Sequence, residues 1–233
     1  MLEKLKKEVY EANVALVMHG LVVLTWGNAS GIDRETGLVV IKPSGLPYES
    51  MSPDDMVVVD LNGDVMEGTL QPSSDTPSHI ALYKAFGDIG GVVHTHSTFA
   101  AGCAQAGVPL TPLGTTQADY FYKSVPVTRE MTEDEINGDY ELNTGLVIME
   151  TVKKTGGVAD TPGALVKNHG PFTWGATAAE AVLHAVVLEE AAKMFVITKL
   201  INFAAPPIQP ALLNRHFFRK HGENATYGQK NND

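Results

Sequence analysis

The sequence is poor in cysteine, in charged residues and in long apolar runs. Its one cysteine, Cys103, cannot form an internal disulfide, which favours a reducing compartment. No apolar run approaches the ~20 residues that a membrane-spanning helix needs, and residues 1–7 lack the apolar core of a signal peptide. We therefore expect a soluble, cytoplasmic protein that has no membrane partner.

Positive charge is also scarce. The 233 residues carry a formal net charge of -10, and no cluster of lysine and arginine forms a basic stripe, so nucleic acid is not an expected partner. With 44% hydrophobic residues, the chain can bury a substantial core. We predict one domain over residues 1–233, in which the polar residues 222–233 form a C-terminal tail with a single aromatic residue, Tyr227.

Helical and strand patterns alternate along the chain. Apolar residues recur at helical spacing over residues 2–19, and Gly20 follows as a C-terminal cap. Further helices are predicted at 77–86, 98–106, 141–154, 181–200 and 208–221, the fourth of these preceded by the capping pair Thr177 and Glu180. Strands are predicted at 21–24, 38–41, 57–60, 64–67, 92–96, 164–168 and 171–174, and residues 109–126 are predicted to be irregular.

Three histidines form a candidate metal site. His94 and His96 lie two residues apart in a predicted strand, where alternate side chains share one face. His169 is a third candidate, because Gly170 would let the chain turn sharply after it. Imidazole suits Zn²⁺, and three protein ligands with an open position are typical of catalytic zinc, although Mn²⁺, Co²⁺ or Fe²⁺ would accept the same donors. By itself, the His-x-His pair is equally consistent with ordinary histidines.

Several motifs in fixed order resemble the class II aldolase and ribulose-phosphate epimerase family, from the opening helix to residues 227–229. The matching segments are Gly27-Asn28, Lys42-Pro43-Ser44-Gly45, Ser73-Ser74-Asp75, His94-Thr95-His96, Asp119-Tyr120-Phe121-Tyr122 and Asn168-His169-Gly170. The resemblance implies an α/β fold of three layers (αβα), in which a central, mainly antiparallel sheet is flanked by helices. It also implies a homotetramer with active sites at the subunit interfaces.

The resemblance assigns the candidate metal ligands. It implies that His94, His96 and His169 bind zinc and that Asp75 joins them. The aldolases of the family usually have glutamate at the position of Asp75, so the aspartate favours the epimerases. The alternative for Asp75 is a plain N-cap of the helix that begins near Pro77.

The resemblance also implies a binding site for the phosphate of a sugar-phosphate substrate. Backbone N–H groups at glycine turns and at a helix N-terminus favour a dianion, and a lysine adds positive charge. Read without the resemblance, these are ordinary turn residues. The residues concerned are Gly27, Asn28, Lys42, Ser44, Gly45, Ser73 and Ser74.

Two further residues match a proposed acid/base pair of the epimerases. These are Asp119 and Tyr227, the tyrosine reaching across from a neighbouring subunit. Positions around that site correspond to Thr115, His216 and Arg219. The sequence departs from the pattern at Gln117, where the epimerases usually have histidine.

The expected activity is inversion of C4 in a ketopentose phosphate, between L-ribulose 5-phosphate and D-xylulose 5-phosphate. Zinc would act as a Lewis acid while the C3–C4 bond breaks and re-forms. Three alternatives are an aldolase acting on L-fuculose 1-phosphate or a similar sugar, a dehydratase of a thiosugar phosphate, and a non-catalytic interaction module of the same fold. Whether the pathway is arabinose or ascorbate breakdown is left open.

Overall fold

A computed structural model of the chain describes residues 2–221 and Ala225. In this part of the chain, helices surround one seven-stranded sheet. The helices are α1 (Glu3–Met18), α2 (Thr76–Ala85), α3 (Thr98–Ala106), α4 (Thr115–Ala118), α5 (Glu133–Asn137), α6 (Tyr140–Thr155), α7 (Ala178–Ile201) and α8 (Pro210–His221). The strands are β1 (Asn28–Asp33), β2 (Leu38–Ile41), β3 (Val57–Val59), β4 (Val65–Glu67), β5 (Gly91–His94), β6 (Gly163–Leu165) and β7 (Pro171–Gly175).

The sheet has the strand order β4-β3-β2-β1-β5-β7-β6. Every pairing between these neighbours is antiparallel, so the predicted antiparallel sheet is confirmed. Strand β1 lies in the middle, between β2 and β5. Strands β3 and β4 are joined by a tight turn, in which Gly63 has a φ of 91°.

Alternating side chains build a core on each face of the sheet. Val40, Val58 and Val93 pack in one cluster with α1 and α7, whereas their neighbours in sequence pack in another with α2 and α6. This period of two is what strands covered on both faces require. Each fully buried aliphatic side chain stabilises the fold by about 1.5–3 kcal/mol. The predicted three-layer arrangement is confirmed.

One strand was missed and one was predicted wrongly. Residues 21–24 form no strand, and Leu24 takes a left-handed φ of 55°. Strand β1 has no β-branched run from which it could be predicted. At Ala29, the side chain of Asn13 in α1 takes the place of a neighbouring strand, because it hydrogen-bonds both the N–H and the carbonyl. Gly31 lets α1 pack closely against the strand, because a Cβ atom would lie 2.9 Å from the Leu5 side chain and 3.0 Å from that of Val9. The strand therefore depends on its neighbours.

Other predicted elements agree with the structure within a few residues. Helix α7 begins where the Thr177 side chain accepts from the Glu180 N–H, and it ends before Pro206. The segment 109–126 contains only the short α4, yet Leu110 and Val125 pair through both backbone hydrogen bonds and are buried. Among the described residues, no helix combines the length and apolar character needed to cross a membrane. The predicted tail falls almost wholly outside those residues.

Candidate active site

A cavity of about 570 Å³ opens where β1 begins and β5 ends. The register of the sheet brings these ends together, because Asn28 pairs with His94 and His94 pairs with Phe172. Loops after β2 and before α2 complete the wall, as does the start of α6. Its lining consists of Thr25, Trp26, Gly27, Asn28, Lys42, Pro43, Ser44, Gly45, Ser73, Ser74, Asp75, His94, His96, Tyr140, Glu141 and His169.

The three predicted histidines converge in the lining of the cavity. Their candidate ligand atoms all lie within 4.8 Å of one another. The ring of His94 is centred 4.9 Å from that of His96 and 4.7 Å from that of His169, and the third separation is 5.0 Å. One ion can therefore contact all three.

Hydrogen bonds orient two of these rings. Nδ1 of His94 donates to the carbonyl oxygen of Pro171 at 3.0 Å, which leaves Nε2, 3.1 Å from Nε2 of His96, as the candidate ligand atom. The Nδ1 of His169 lies 3.3 Å from the hydroxyl of Tyr140. Phe172 stacks against His94 with ring centres 4.2 Å apart. Such contacts fix the orientation of metal-ligating imidazoles.

Two of the three histidines have a lowered pKa, which favours the neutral form that binds metal. Burial, together with the proximity of His94 and His96, lowers the pKa of His169 to about 3, although Asp75 acts in the opposite direction. Burial and the proximity of His94 also lower the pKa of His96. Metal binding needs deprotonated imidazole nitrogen. The donor set thus fits a divalent transition-metal ion, with nitrogen ligands and an open side toward the cavity.

The two adjacent histidines converge for a reason other than the predicted one. Strand β5 ends at His94, so His96 lies beyond the strand and alternation does not place it. The chain turns there into α3, whose first N–H groups, at Phe99 and Ala100, both donate to the Glu189 carboxylate at 2.9 Å. Glu189 belongs to α7. It therefore fixes the start of α3 close to His96.

The loop that carries His169 also differs from expectation. The left-handed residue is Asn168, with a φ of 62°, rather than Gly170. Gly170 is needed for close approach instead, because a Cβ atom would lie 2.6 Å from the Thr95 carbonyl oxygen. Asparagine tolerates the left-handed conformation better than most residues. Together the two residues bring His169 beside His94.

Asp75 lines the cavity and does not behave as a helix cap. Its side chain makes no capping hydrogen bond to α2. One carboxylate oxygen accepts from the Asn28 amide at 2.6 Å. Burial acts to raise the pKa of Asp75, but the proximity of His94 and His79 and the bond from Asn28 outweigh it, so the pKa is lowered. The group of converging ligand atoms contains only the histidines, and a metal contact of Asp75 remains a prediction.

The lining of the same cavity includes all seven residues of the predicted phosphate site, which are called the phosphate end below, as the three histidines are called the metal end. Within the described residues, the backbone N–H groups of Gly27, Gly45 and Ser74 make no hydrogen bond to protein. Gly27 has a φ of 78°, and a Cβ atom there would lie 2.9 Å from the His94 carbonyl oxygen. Such N–H groups are the usual donors to a bound anion.

Lys42 is an unusual neighbour for these groups. It is 2% exposed, and its Nζ donates to the Pro43 carbonyl at 3.2 Å. In the described part of the chain no carboxylate lies within ion-pair distance of it, and burial lowers the pKa of the ammonium. A buried cation is costly unless an anion compensates it. The cavity thus favours a negatively charged ligand.

The remaining predicted site residues form a separate cluster, outside the lining of this cavity. Asp119 accepts from His216 at 3.0 Å and from Arg219 at 2.9 Å. Lys220 lies 3.6 Å away, and Thr115 begins the helix that Asp119 caps. The structure brings these residues together with one another but not with the histidines. Tyr227 lies outside the described residues.

Two groups in the cavity were missed by sequence reasoning. Tyr140 and Glu141 begin α6, and Thr25 and Trp26 precede β1. None of them belongs to a local motif, since only the packing of α6 and the turn before β1 bring them to the cavity. Gln117 occupies the position where the sequence departs from the epimerase pattern, which usually has histidine. It is buried and donates to the Leu110 carbonyl at 2.7 Å.

Comparison with known proteins defines the class. The model of the family described as Class II Aldolase and Adducin N-terminal domain matches residues 7–196, and the chain belongs to this family. Among solved structures, it is similar to an L-fuculose 1-phosphate aldolase, with a TM-score of 0.77 and 27% identity over 91% of this chain and 94% of that one. YgbL of Klebsiella pneumoniae shares the fold, with a TM-score of 0.73 and 23% identity over 92% and 99%.

The curated relatives are more specific. The chain is 57% identical to the L-ribulose-5-phosphate 4-epimerase UlaF of Salmonella paratyphi C (strain RKS4594), over 98% of this chain and all of the relative. It is 56% identical to the protein of the same name from Salmonella typhi over the same shares of the two chains. These relatives confirm the prediction of an enzyme.

Proposed function

We propose that the chain is a zinc-dependent epimerase that interconverts L-ribulose 5-phosphate and D-xylulose 5-phosphate. The observation that carries the proposal is the lining of the cavity, which combines three converging imidazoles with the buried Lys42 and with backbone N–H groups that make no hydrogen bond within the described residues. A small molecule with oxygens at one end and a phosphate at the other matches the metal end and the phosphate end. The names of the full-length relatives support the same substrate.

The chemistry requires that a carbon–carbon bond breaks. C4 lies β to the ketone at C2, so loss of its proton would leave a carbanion with no adjacent carbonyl. Cleavage of the C3–C4 bond instead leaves the electron pair on C3, next to C2, while the C4 hydroxyl loses its proton and becomes the carbonyl of glycolaldehyde phosphate. Bond formation on the opposite face of that aldehyde returns the proton to the oxygen and inverts C4.

Residues of the cavity divide these tasks. His94, His96 and His169, with Asp75 as a further ligand, would hold a zinc ion, which would supply Lewis-acid stabilisation for the charge that develops during cleavage. Asn28 is 2% exposed, and its Oδ1 has no partner in the described part of the chain, so it can accept from a substrate hydroxyl. The phosphate is held by the backbone groups named above together with Ser44, Ser73 and Lys42. Its retention lets the aldehyde turn without escaping.

Proton transfer at the C4 oxygen is assigned to Asp119 and Tyr227, at a site shared between subunits of a homotetramer. Asp119 does not line the cavity of its own chain, so a second subunit would have to present it there, as it would the tyrosine. Exposed apolar side chains support self-association. Leu200, Ile201 and Phe203 at the end of α7 are 81%, 81% and 87% exposed, and Leu24 near the cavity is 74% exposed.

The direct test is to incubate the protein with L-ribulose 5-phosphate and to measure D-xylulose 5-phosphate, with and without a chelator. We expect conversion that the chelator abolishes and that added Zn²⁺ restores. Absence of any conversion by protein with a full complement of metal would contradict the proposal. A protein that retains no metal under non-chelating conditions would point to an interaction module instead.

A second candidate is an aldolase that releases its aldehyde. The similarity to the structure of an L-fuculose 1-phosphate aldolase favours it. Asp75, Asp119 and Tyr227 match the epimerases. Cleavage of L-fuculose 1-phosphate, followed by reduction of the freed aldehyde in a coupled assay, distinguishes the two. We expect this rate to be far below that of epimerisation.

A further inference from the structure

One buried tyrosine, Tyr48, contacts both the turn before β1 and Lys42, although it does not line the cavity itself. Tyr48 begins the short 3-10 turn Tyr48–Ser50 that follows β2, and it is 6% exposed. It is absent from the lining given above. Its contacts to the cavity therefore pass through other residues.

The first contact holds the turn before β1. The Tyr48 hydroxyl lies 2.8 Å from the carbonyl oxygen of Gly27 and 3.1 Å from that of Trp26. Burial raises the pKa of Tyr48, so the hydroxyl keeps its proton and donates to this pair of acceptors. With these two carbonyls held at Tyr48, the peptide units of the turn have a fixed orientation. The N–H of Gly27, which has no protein partner among the described residues, is fixed with them.

The second contact supports the buried cation. Nζ of Lys42 lies 4.7 Å from the centre of the Tyr48 ring. A lysine over an aromatic face gains about 0.5–1 kcal/mol at exposed sites and more when water is excluded. Lys42 is buried and has no carboxylate partner in the described part of the chain, so the ring is its main support besides the Pro43 carbonyl.

We infer that Tyr48 is a positioning residue of the phosphate end, which sets the Gly27 turn and the Lys42 ammonium at one geometry for a substrate dianion. The inference rests on the proposed sugar-phosphate substrate. The hydroxyl orients the Gly27 turn, and the ring supports the Lys42 ammonium. Loss of Tyr48 should therefore weaken phosphate binding and leave the metal end intact.

Two substitutions separate the two parts. Tyr48→Phe keeps the ring and removes the hydroxyl, and we expect a roughly tenfold rise in the dissociation constant of inorganic phosphate and in KM for L-ribulose 5-phosphate. Tyr48→Leu also removes the ring and should weaken binding by a further factor of about two to five. The zinc content should match that of the wild type, and kcat should stay within about threefold, since loss of binding shared by ground and transition states raises KM alone.

Tyr83→Phe is the matched control. Tyr83 is 1% exposed, and its hydroxyl bonds Ser30 away from the cavity lining, so this variant loses an equally buried hydroxyl. We expect its phosphate affinity to stay within about twofold of the wild type. Equal phosphate affinity in wild type, Tyr48→Phe and Tyr48→Leu would overturn the inference. So would a parallel loss of zinc and phosphate in Tyr48→Phe, because the residue would then support the whole site.

Calorimetry on the zinc-loaded protein measures phosphate binding directly. It therefore distinguishes a failure of the proposed substrate from a failure of the proposed role of Tyr48. A wild type that binds phosphate but does not epimerise would contradict the substrate assignment, while the Tyr48 variants would still test the inference. A wild type that binds no phosphate would overturn both. Normal epimerisation with unchanged Tyr48 variants would overturn the inference alone.

Discussion

The cavity and the cluster around Asp119 are both rich in ionisable groups, but they differ in the partners that these groups have within the chain. In the cavity, imidazole nitrogens converge to within 4.8 Å of one another, and the buried Lys42 faces no carboxylate among the described residues. Around Asp119, the carboxylate accepts from two residues of α8 and has Lys220 nearby. The cavity is built for a ligand that comes from outside the chain. The Asp119 cluster is already held together by its own charges, and it fastens α8 to α4.

The largest expected effect is at the metal end of the cavity. His96→Ala should remove a ligand, so metal content should fall from about one ion per chain to near none, and epimerisation should fall by about a thousandfold or more. Metal analysis and the epimerisation assay measure the two quantities. His19→Ala, at an exposed histidine after α1, is the control and should change neither. Full metal retention by the His96 variant would contradict the metal centre.

The next effect concerns the tail. Tyr227→Phe should keep the metal and lose about a hundredfold to ten-thousandfold in kcat, which is the usual range for a general acid or base. Unchanged turnover in this variant would remove Tyr227 from the mechanism.

The same variant tests whether sites are shared. Co-expression of the His96→Ala and Tyr227→Phe chains with different tags yields mixed oligomers. If the tyrosine acts in a neighbouring subunit, some sites in these oligomers will have both residues and activity will partly return. The oligomer should have four times the 25.0 kDa mass of one chain. Mixed oligomers of that size without activity would count against shared sites.

A smaller effect is expected at the phosphate end. Lys42→Met removes the buried charge, and KM should rise by about tenfold to a hundredfold, since hydrogen bonds to charged groups contribute roughly 1.5–3 kcal/mol. The metal content should not change. Lys153→Met, a lysine in the last turn of α6, serves as a control for loss of one charge. Equal KM values for both variants would remove Lys42 from substrate binding.

The smallest expected effect is a pH dependence in the Asp119 cluster. Burial acts to raise the pKa of Asp119, but hydrogen bonds from Arg219 and His216 and the charges of Lys220 and Arg219 outweigh it and lower the pKa. A carboxylate with a lowered pKa stabilises the fold above its unfolded pKa of about 3.9, and this contribution is lost as the pH falls through the folded value. Asp119→Asn should therefore reduce the free energy of unfolding at pH 7.

The difference between the Asp119 variant and the wild type should shrink as the pH falls below about 4. Denaturant unfolding at several pH values measures it. A difference that does not change with pH would show that the charge of Asp119 does not fasten α8. Helix content at each pH, measured by circular dichroism, shows whether the reference state is still folded.

How far the sequence predicts the fold differs from element to element. Helices α1, α3 and α7 were predicted because apolar spacing and capping residues act within a few residues of one another. Strand β1 was not predicted, since its residues have no strand pattern and it forms only between β2 and β5 with Asn13 across from it. Residues 21–24 do have the strand pattern, but no neighbouring strand pairs with them.

The sequence by itself determined the chemical types that line the cavity, because histidine is suited to metal ions, and lysine and glycine turns are suited to phosphate. Only the tertiary structure decided how they meet. His96 is brought back toward His94 beyond the end of β5, next to the start of α3 that Glu189 holds, and Tyr140 and Tyr48 arrive from distant parts of the chain. Chemical type is a property of one residue, whereas convergence depends on packing between segments far apart in sequence.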